Sequence, residues 1–335
     1  MSKRAKKQAS IGIDVGGTKT LLALFDSRFE VLAEKKFQTH PEKGGAKAFT
    51  EELTGAVKSL VKVARKDGLK VKVIGVGCAG EIDMKSGVVK SSPNLAFLDG
   101  YPFRRMLKDL TGAKVFIGHD VQTGLYGEFK LGAAKKARNA IGVWVGTGVG
   151  GALLIDRKIY QGTTGVSGDL GNYLLHAVGS PSDAPRKDVL DNVASRPAIA
   201  GEAATLAAKH KAPSLKKMAG TDVIDIKAGD LARAIRKGDK AIEKLVRSRA
   251  HVIGAAVSNL VDFLNPDMVV LGGGLSEAMP VIMRSEVRKS IDAHAAPKSA
   301  KAVKVVVAEL AGHAGTAGAA KLAMDMFSKD PPIRI

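Results

Sequence analysis

One residue in 335 is cysteine, Cys78, so the chain can hold no intrachain disulfide and no zinc site built from several cysteines. Aromatic residues are 4% of the whole, too few for the stacking platforms that grip single-stranded nucleic acid. No apolar run reaches the roughly 18 residues of a membrane span. The start MSKRAKKQAS carries the basic flank of a signal peptide, but Asp14 and Lys19 interrupt the apolar region that should follow. These absences together predict a cytoplasmic protein with no membrane anchor. Acidic residues are scarce as well: 33 Asp and Glu stand against 52 Lys and Arg, a formal charge of +19. That field attracts nucleic acid, polyphosphate or anionic metabolites. The lysines are scattered, however, and read mainly as a solvated basic surface.

What is present is an ordinary globular composition, 45% hydrophobic and 25% charged. The length suggests two domains or one large one. Residues 1–9 read as a disordered basic tail, with order beginning at Ser10. Apolar runs at IGIDV, LLALFD, VKVIGVGCAG, KVFIGHD, NAIGVWV, GALLID, DMVVLGGG and KVVVAEL predict strands, and FEVLAEKKFQ adds one by alternation. Spacings of three and four predict helices over about 46–66, 196–209, 228–236 and 240–263, after Asp120, and at the C-terminus. Strands interleaved with helices make the class α/β. One internal similarity stands out. Residues 11–26, IGIDVGGTKTLLALFD, align without a gap to residues 141–156, IGVWVGTGVGGALLID. Both read strand, glycine turn, strand, and both end on Asp. Two such copies predict two related domains facing across a cleft.

Gly146, Gly148 and Gly151 satisfy G-x-G-x-x-G, but a strand rather than a helix follows, so this is no dinucleotide fingerprint. No Walker A motif occurs either. A glycine hairpin can nevertheless hold phosphate through exposed backbone N–H groups. Glycine is required where backbone approaches the phosphate or takes a positive φ. A plain tight turn needs two special residues, whereas GTGVGG has four glycines in six. In the first hairpin Asp14 ends an apolar strand, where a carboxylate needs a partner. It serves either as a cap on the turn or as a ligand for Mg²⁺ or its water shell. Thr18 and Lys19 are placed to meet phosphate oxygens. Asp120 ends another strand just before a helix, which suits an N-cap, a general base, or both.

In order along the chain, DVGGTK, HDVQTGLYGE, GTGVGGALL, GDLGNYLL, ASRPAIAG and LNPDMVVLGGGLSE resemble the ROK family of sugar kinases and repressors, over about residues 10–327. The resemblance implies two ribonuclease-H-like (actin-like ATPase) domains around a central cleft that closes on ATP, Mg²⁺ and a hexose. The first would span 10–120, with a C-terminal helix of about 313–327 packing back onto it, and the second 121–312. It implies phosphate contacts from Asp14, Gly16, Gly17, Thr18 and Lys19, and from Gly146, Thr147, Gly148, Gly150 and Gly151. Adenosine would meet Gly272, Gly273 and Gly274. Asp120 matches the catalytic aspartate that takes the sugar hydroxyl proton.

The departures bear on the sugar. The family's E-N-D at the catalytic strand reads Gly118, His119, Asp120, so histidine stands where asparagine would hold a hydroxyl. G-E-[IL]-G-H reads Gly168, Asp169, Leu170, Gly171, Asn172. The zinc loop C-x-C-G-x-x-G-C-x-E is gone, leaving His176 nearby and Asp191 where a glutamate would contact sugar. No zinc site is therefore expected. Asn94 and Gly80 resemble two further loops beside the sugar, the second with alanine in place of its proline. Each Glu→Asp change withdraws a carboxylate by one methylene, about 1.5 Å, enough to matter for orientation. Polar groups persist at every slot, which predicts altered sugar choice rather than a dead site. The expectation is thus an ATP-dependent hexose kinase, a homodimer by resemblance. A polyphosphate-using kinase and a catalytically weak sugar sensor are the alternatives. Family repressors carry a helix-turn-helix ahead of the first phosphate motif; about nine residues precede it here, so no sequence-specific DNA binding is expected.

Overall fold

The computed structural model describes residues 8–40, 44–175, 189–329 and 331–333. Two compact units result: Met1–Lys136 with Lys158–Ser167 and Gly312–Ile335, and Ala137–Arg157 with Gly168–Ala311.

In the first unit the strands are β1 (Gln8–Val15), β2 (Lys19–Phe25), β3 (Val31–Gln38), β4 (Lys70–Cys78), β5 (Glu81–Asp83), β6 (Val88–Ser91) and β7 (Lys114–His119). Five of them form a sheet in the order β3-β2-β1-β4-β7, and β5 pairs with β6 as a separate hairpin. The pairs β1–β2 and β2–β3 are antiparallel, while β1, β4 and β7 run parallel. Among the described residues strand already runs at Gln8, ahead of the expected Ser10, because Gln8 and Ala9 pair with Lys70 and Val71 before a bulge. The helices are α1 (Gly45–Lys66), α2 (Phe103–Thr111) and α3 (Asp120–Leu131). Leu53, Val57 and Leu60 of α1 recur at helical spacing and are buried with Phe49. The few aromatics are concentrated here: Phe49 lies 5.7 Å from Phe37 and from Tyr101, and 5.8 Å from Phe97.

The second unit contains β8 (Ala140–Val145) and β9 (Val149–Ile155). After the short β10 (Lys158–Tyr160), which belongs to the first unit, come β11 (Met268–Gly272) and β12 (Lys304–Val307). Its strands run in the order β9-β8-β11-β12. With β8–β9 antiparallel and β8, β11 and β12 parallel, this repeats β2-β1-β4-β7 of the first unit strand for strand. The sequence similarity of residues 11–26 to 141–156 is therefore a repeat of topology. The helices are α4 (Leu190–Ala194), α5 (Arg196–Ala208), α6 (Pro213–Ala219), α7 (Ala228–Arg236), α8 (Lys240–Leu264), α9 (Gly273–Ala278), α10 (Pro280–His294) and α11 (Pro297–Ala302). They bury the aliphatic core formed with Ile141, Val143, Val269 and Leu271. Gly254 brings α8 against α10: a Cβ there would lie 2.6 Å from that of Ser290.

The final helix, α12 (Ala314–Met326), returns to the first unit and packs on α3, β1 and β4. The unit boundary falls at 136/137, not at 120/121 as the sequence suggested. The reason is α3, whose Tyr126 hydroxyl donates to Asp325 of α12 at 2.6 Å and whose Gly127 abuts Gly318. Among the described residues no helix is long and apolar enough to cross a membrane.

Candidate active site

In the first unit, register brings Asp14, Gly77 and Gly118 side by side, followed by Val15, Cys78 and His119. These are the carboxyl ends of three parallel strands, where open α/β sheets place their chemistry. Asp14 leaves from β1 and Asp120 from the residue after β7, with β4 between them. Two strand spacings amount to about 10 Å. The intervening strand offers a glycine: a Cβ on Gly77 would lie 2.5 Å from Thr123 Oγ1 and 3.4 Å from the Asp120 Cα.

Asp14 is half-buried, and the first turn of α12 rests on it. A Cβ on Gly315 would sit 2.4 Å from Asp14 Oδ2, so a side chain there would displace the carboxylate. Neither Gly315 nor Gly77 was singled out from sequence, although both lie in glycine-containing stretches, IGVGC and AGTAGAA, where a missing side chain permits close backbone approach.

Asp120 is the first residue of α3 rather than its cap. His119 holds the N-cap position, and no side chain caps the helix. Asp120 Oδ1 accepts the Val121 N–H at 2.8 Å and lies 3.2 Å from His119 Nδ1. The angle of that second approach is too poor for a hydrogen bond, and His119 Nδ1 is buried without a partner. Thr123 Oγ1 donates to the Asp120 carbonyl at 2.7 Å, fixing the turn from below. His119 and Asp120 remain 23% and 27% exposed, open to a substrate.

In the β1–β2 turn the Gly16 N–H donates to the Lys19 carbonyl at 3.2 Å, and Thr18 and Lys19 are exposed. Gly80 takes φ +109° with Ser91 O only 2.4 Å from where a Cβ would be, so that loop tolerates glycine alone. Asn94 is exposed in the turn closed by Leu95 N–H on Ser92 O at 2.9 Å.

Cys78 reports on both carboxylates. Burial, and after it the charges of Asp120 and Asp14, push its thiol well above the ordinary thiol range. Native protein at pH 8 is expected to consume almost no Ellman's reagent, and guanidinium-unfolded protein one equivalent. The sign for stability follows: the contribution is present below the unfolded thiol's value of about 8.5 and is lost as pH rises above it. Rapid labelling of the native protein would show that Cys78 is not where this packing places it.

In the second unit Gly146 N–H donates to Gly148 O at 2.8 Å, closing the β8–β9 turn with Thr147 exposed at its tip. None of Gly16, Gly17, Gly146, Gly148, Gly150 and Gly151 takes a positive φ. Close approach explains some of them: a Cβ on Gly151 would lie 2.2 Å from Gly168 O and one on Gly148 3.0 Å from Asp191 Oδ1, whereas nothing lies within 4 Å of that position on Gly146. Gly272 ends β11 against the Trp144 ring, at 2.4 Å from a would-be Cβ. Gly273 takes φ +82° with its Cβ position 2.7 Å from backbone atoms of Val145. Neighbouring strand ends thus bring residues 146–151 and 272–274 together. Asp169 and Asn172 are exposed and bonded to each other, Asn172 Nδ2 donating to Asp169 Oδ2 at 2.6 Å. Asp191 Oδ1 accepts the Val149 N–H at 2.6 Å. His176 lies outside the described residues, among which no group of three or more His, Cys, Asp or Glu could hold a metal ion.

Known proteins resemble this chain in sequence and in fold. The chain is 28% identical to a glucokinase of Halalkalibacterium halodurans, with 87% of each chain covered. It is 26% identical to a xylose repressor of Caldicellulosiruptor bescii, over 79% of this chain and 66% of that one. A ROK family glucokinase of Streptomyces griseus, solved with glucose and AMPPNP, superposes with a TM-score of 0.80 at 26% identity, covering 94% of this chain and 99% of that one. The model of the ROK family matches residues 10–326, both topological repeats and both glycine hairpins included, and the chain belongs to that family.

Proposed function

We propose that this protein is an ATP-dependent hexose kinase that transfers the γ-phosphoryl group to a sugar hydroxyl. The observation that carries the reading is the pair Asp14 and Asp120 at the ends of parallel strands, held apart by β4 and kept accessible. The glucokinase relatives support the donor and the acceptor class. Asp120 acts as general base. Its Oδ1 is committed to the Val121 N–H, which leaves Oδ2 to take the hydroxyl proton as the oxygen attacks phosphorus. The hydroxyl proton ends on Asp120 and the β-phosphate leaves as ADP.

Asp14 suits Mg²⁺, because a half-buried carboxylate at an apolar strand end is an oxygen donor of the kind that cation selects. Bound there, the cation would neutralise phosphate charge. The proposed phosphate contacts are Thr18, Lys19 and the N–H groups of Gly16 and Gly17 in the first unit, and Gly146, Thr147, Gly148, Gly150 and Gly151 in the second. Gly272, Gly273 and Gly274 take the adenosine. The proposed sugar contacts are Gly80, Asn94 and His119 in the first unit and Asp169, Asn172 and Asp191 in the second, and the histidine at 119 with the shortened carboxylates at 169 and 191 sets which hexose is accepted. The same proposal holds the protein to be a cytoplasmic homodimer that needs no zinc and reads no operator DNA.

A coupled ADP-release assay with Mg·ATP against glucose, mannose, fructose, allose, N-acetylglucosamine and N-acetylmannosamine tests this. EDTA treatment followed by excess Mg²⁺, without zinc, is expected to leave activity intact. Turnover with one sugar that vanishes in Asp120→Ala supports the kinase; silence across the panel with ATP still bound favours a sugar sensor. The +19 charge gives polyphosphate a parallel assay read as sugar-phosphate formation without nucleotide, where salt-sensitive turnover would mark it as the donor.

A further inference from the structure

We infer that Asp191 is a positioning residue for the glycine hairpin on the donor side, not simply a sugar contact. The inference deepens the kinase reading and rests on it. Asp191 Oδ1 accepts the N–H of Val149, 42 residues away, at 2.6 Å. Val149 is the first residue of β9, 3% exposed, and the partner of Val145 across the hairpin. The two residues that crowd this carboxylate are glycines. A Cβ on Gly148 would lie 3.0 Å from Oδ1, and one on Gly171 3.4 Å from it and 2.7 Å from the Val149 carbonyl. Side chains at either position would press on the bond.

A second tie holds the other end of the same turn. The Arg196 N–H, opening α5, donates to Gly146 O at 2.9 Å. The hairpin is therefore braced at both ends by the α4–α5 segment, and Asp191 contributes the charged half of that brace. An ionised acceptor makes the stronger hydrogen bond, and here it fixes a backbone N–H beside those proposed to meet phosphate. Gly171 belongs to the segment that carries Asp169 and Asn172. One carboxylate thus sets the donor hairpin against the acceptor-binding segment, so that loss of Asp191 is felt first as loss of nucleotide affinity.

Titration of Mg·AMPPNP into the full chain, with no sugar present, separates the possibilities. D191A is expected to bind AMPPNP about tenfold more weakly, the effect of one well-made charge-assisted bond. D191N keeps a neutral oxygen acceptor and is expected to recover about half of that loss in free energy, binding about threefold more weakly than wild type. In turnover, D191A should raise KM for ATP more than KM for the sugar. Unchanged AMPPNP affinity in D191A overturns the positioning role, and so does equal loss in D191A and D191N. A wild-type protein that binds no AMPPNP overturns the kinase reading instead. Amide exchange of Val149 in the wild type gives a reading free of any variant. Protection matching that of Ala152 within β9 is expected, and exchange at the rate of an open amide overturns the proposal even if D191A fails to fold.

Discussion

Asp120→Ala is expected to slow phosphoryl transfer roughly 10³-fold while leaving AMPPNP affinity within about twofold of wild type, since a positioned general base contributes on that order. Asp120→Asn should be as inactive. It retains an oxygen for the Val121 N–H and so preserves the start of α3, but its amide cannot accept the proton. The pairing of the two variants matters because Asp120 also places negative charge in the first turn of a helix, a contribution of about 0.5 kcal/mol. A loss of activity by unfolding would therefore appear as a large drop in Tm, which neither variant should show. More than a few per cent of wild-type turnover in Asp120→Asn would remove Asp120 from the base role.

Asp14, Asp120 and the two hairpins could be picked out because glycine and carboxylate at a strand end are local signals. Asp14 and Asp120 each follow an apolar run, and the two hairpins announce themselves by composition. What local pattern could not supply was the third dimension. Gly77 lies beneath Asp120 only because β4 pairs in register with β7, and Gly315 meets Asp14 only because a helix some 300 residues later returns to the first sheet. Asp191 is a similar case. Its place in the chain suggested a sugar contact, whereas its bond to Val149 depends on where α4 settles.

For the fold, elements with a single buried stripe were readable. The spans 228–236 and 240–264 match their apolar spacing closely. The 15-residue α10 was not read, because its buried face includes Glu286 and Ser290 beside Met283, Val287 and Ile291. Arg247 donates to Glu286 at 2.7 Å, and that ion pair makes a charged residue acceptable on an inner face. Without the partner helix, the pattern of α10 looks too polar to pack. The compact unit runs past residue 120 to 136 for a related reason: α3 follows β7 in sequence but is held by Asp325 near the far end of the chain.

Gly75→Ala is expected to cost about 3 kcal/mol of stability, the upper part of the range for overpacking a core. Gly12 and Gly75 are partners across β1 and β4 and form a floor without side chains. A Cβ on Gly75 would lie 1.8 Å from the Ala319 carbonyl oxygen and 2.2 Å from its carbon; one on Gly12 would lie 1.8 Å from Thr316 O. These obstacles are helix backbone, which cannot swing aside as a side chain can, so α12 must lift as a body by about 1.5 Å to restore an ordinary carbon–oxygen contact. Lifting it would strain the Tyr126–Asp325 bond and draw Gly315 away from Asp14, coupling stability to the phosphate end of the site. Gly55→Ala is the matched control. It lies exposed within α1 with nothing within 4 Å of its Cβ position, and alanine there should stabilise by about 0.5–1 kcal/mol through helix propensity alone. The two substitutions add the same methyl group and should move Tm in opposite directions, the first by about −4 °C. A Gly75→Ala protein that melts within 2 °C of wild type would mean that α12 does not press on β4 as described, and the support it gives to Asp14 would fall with it.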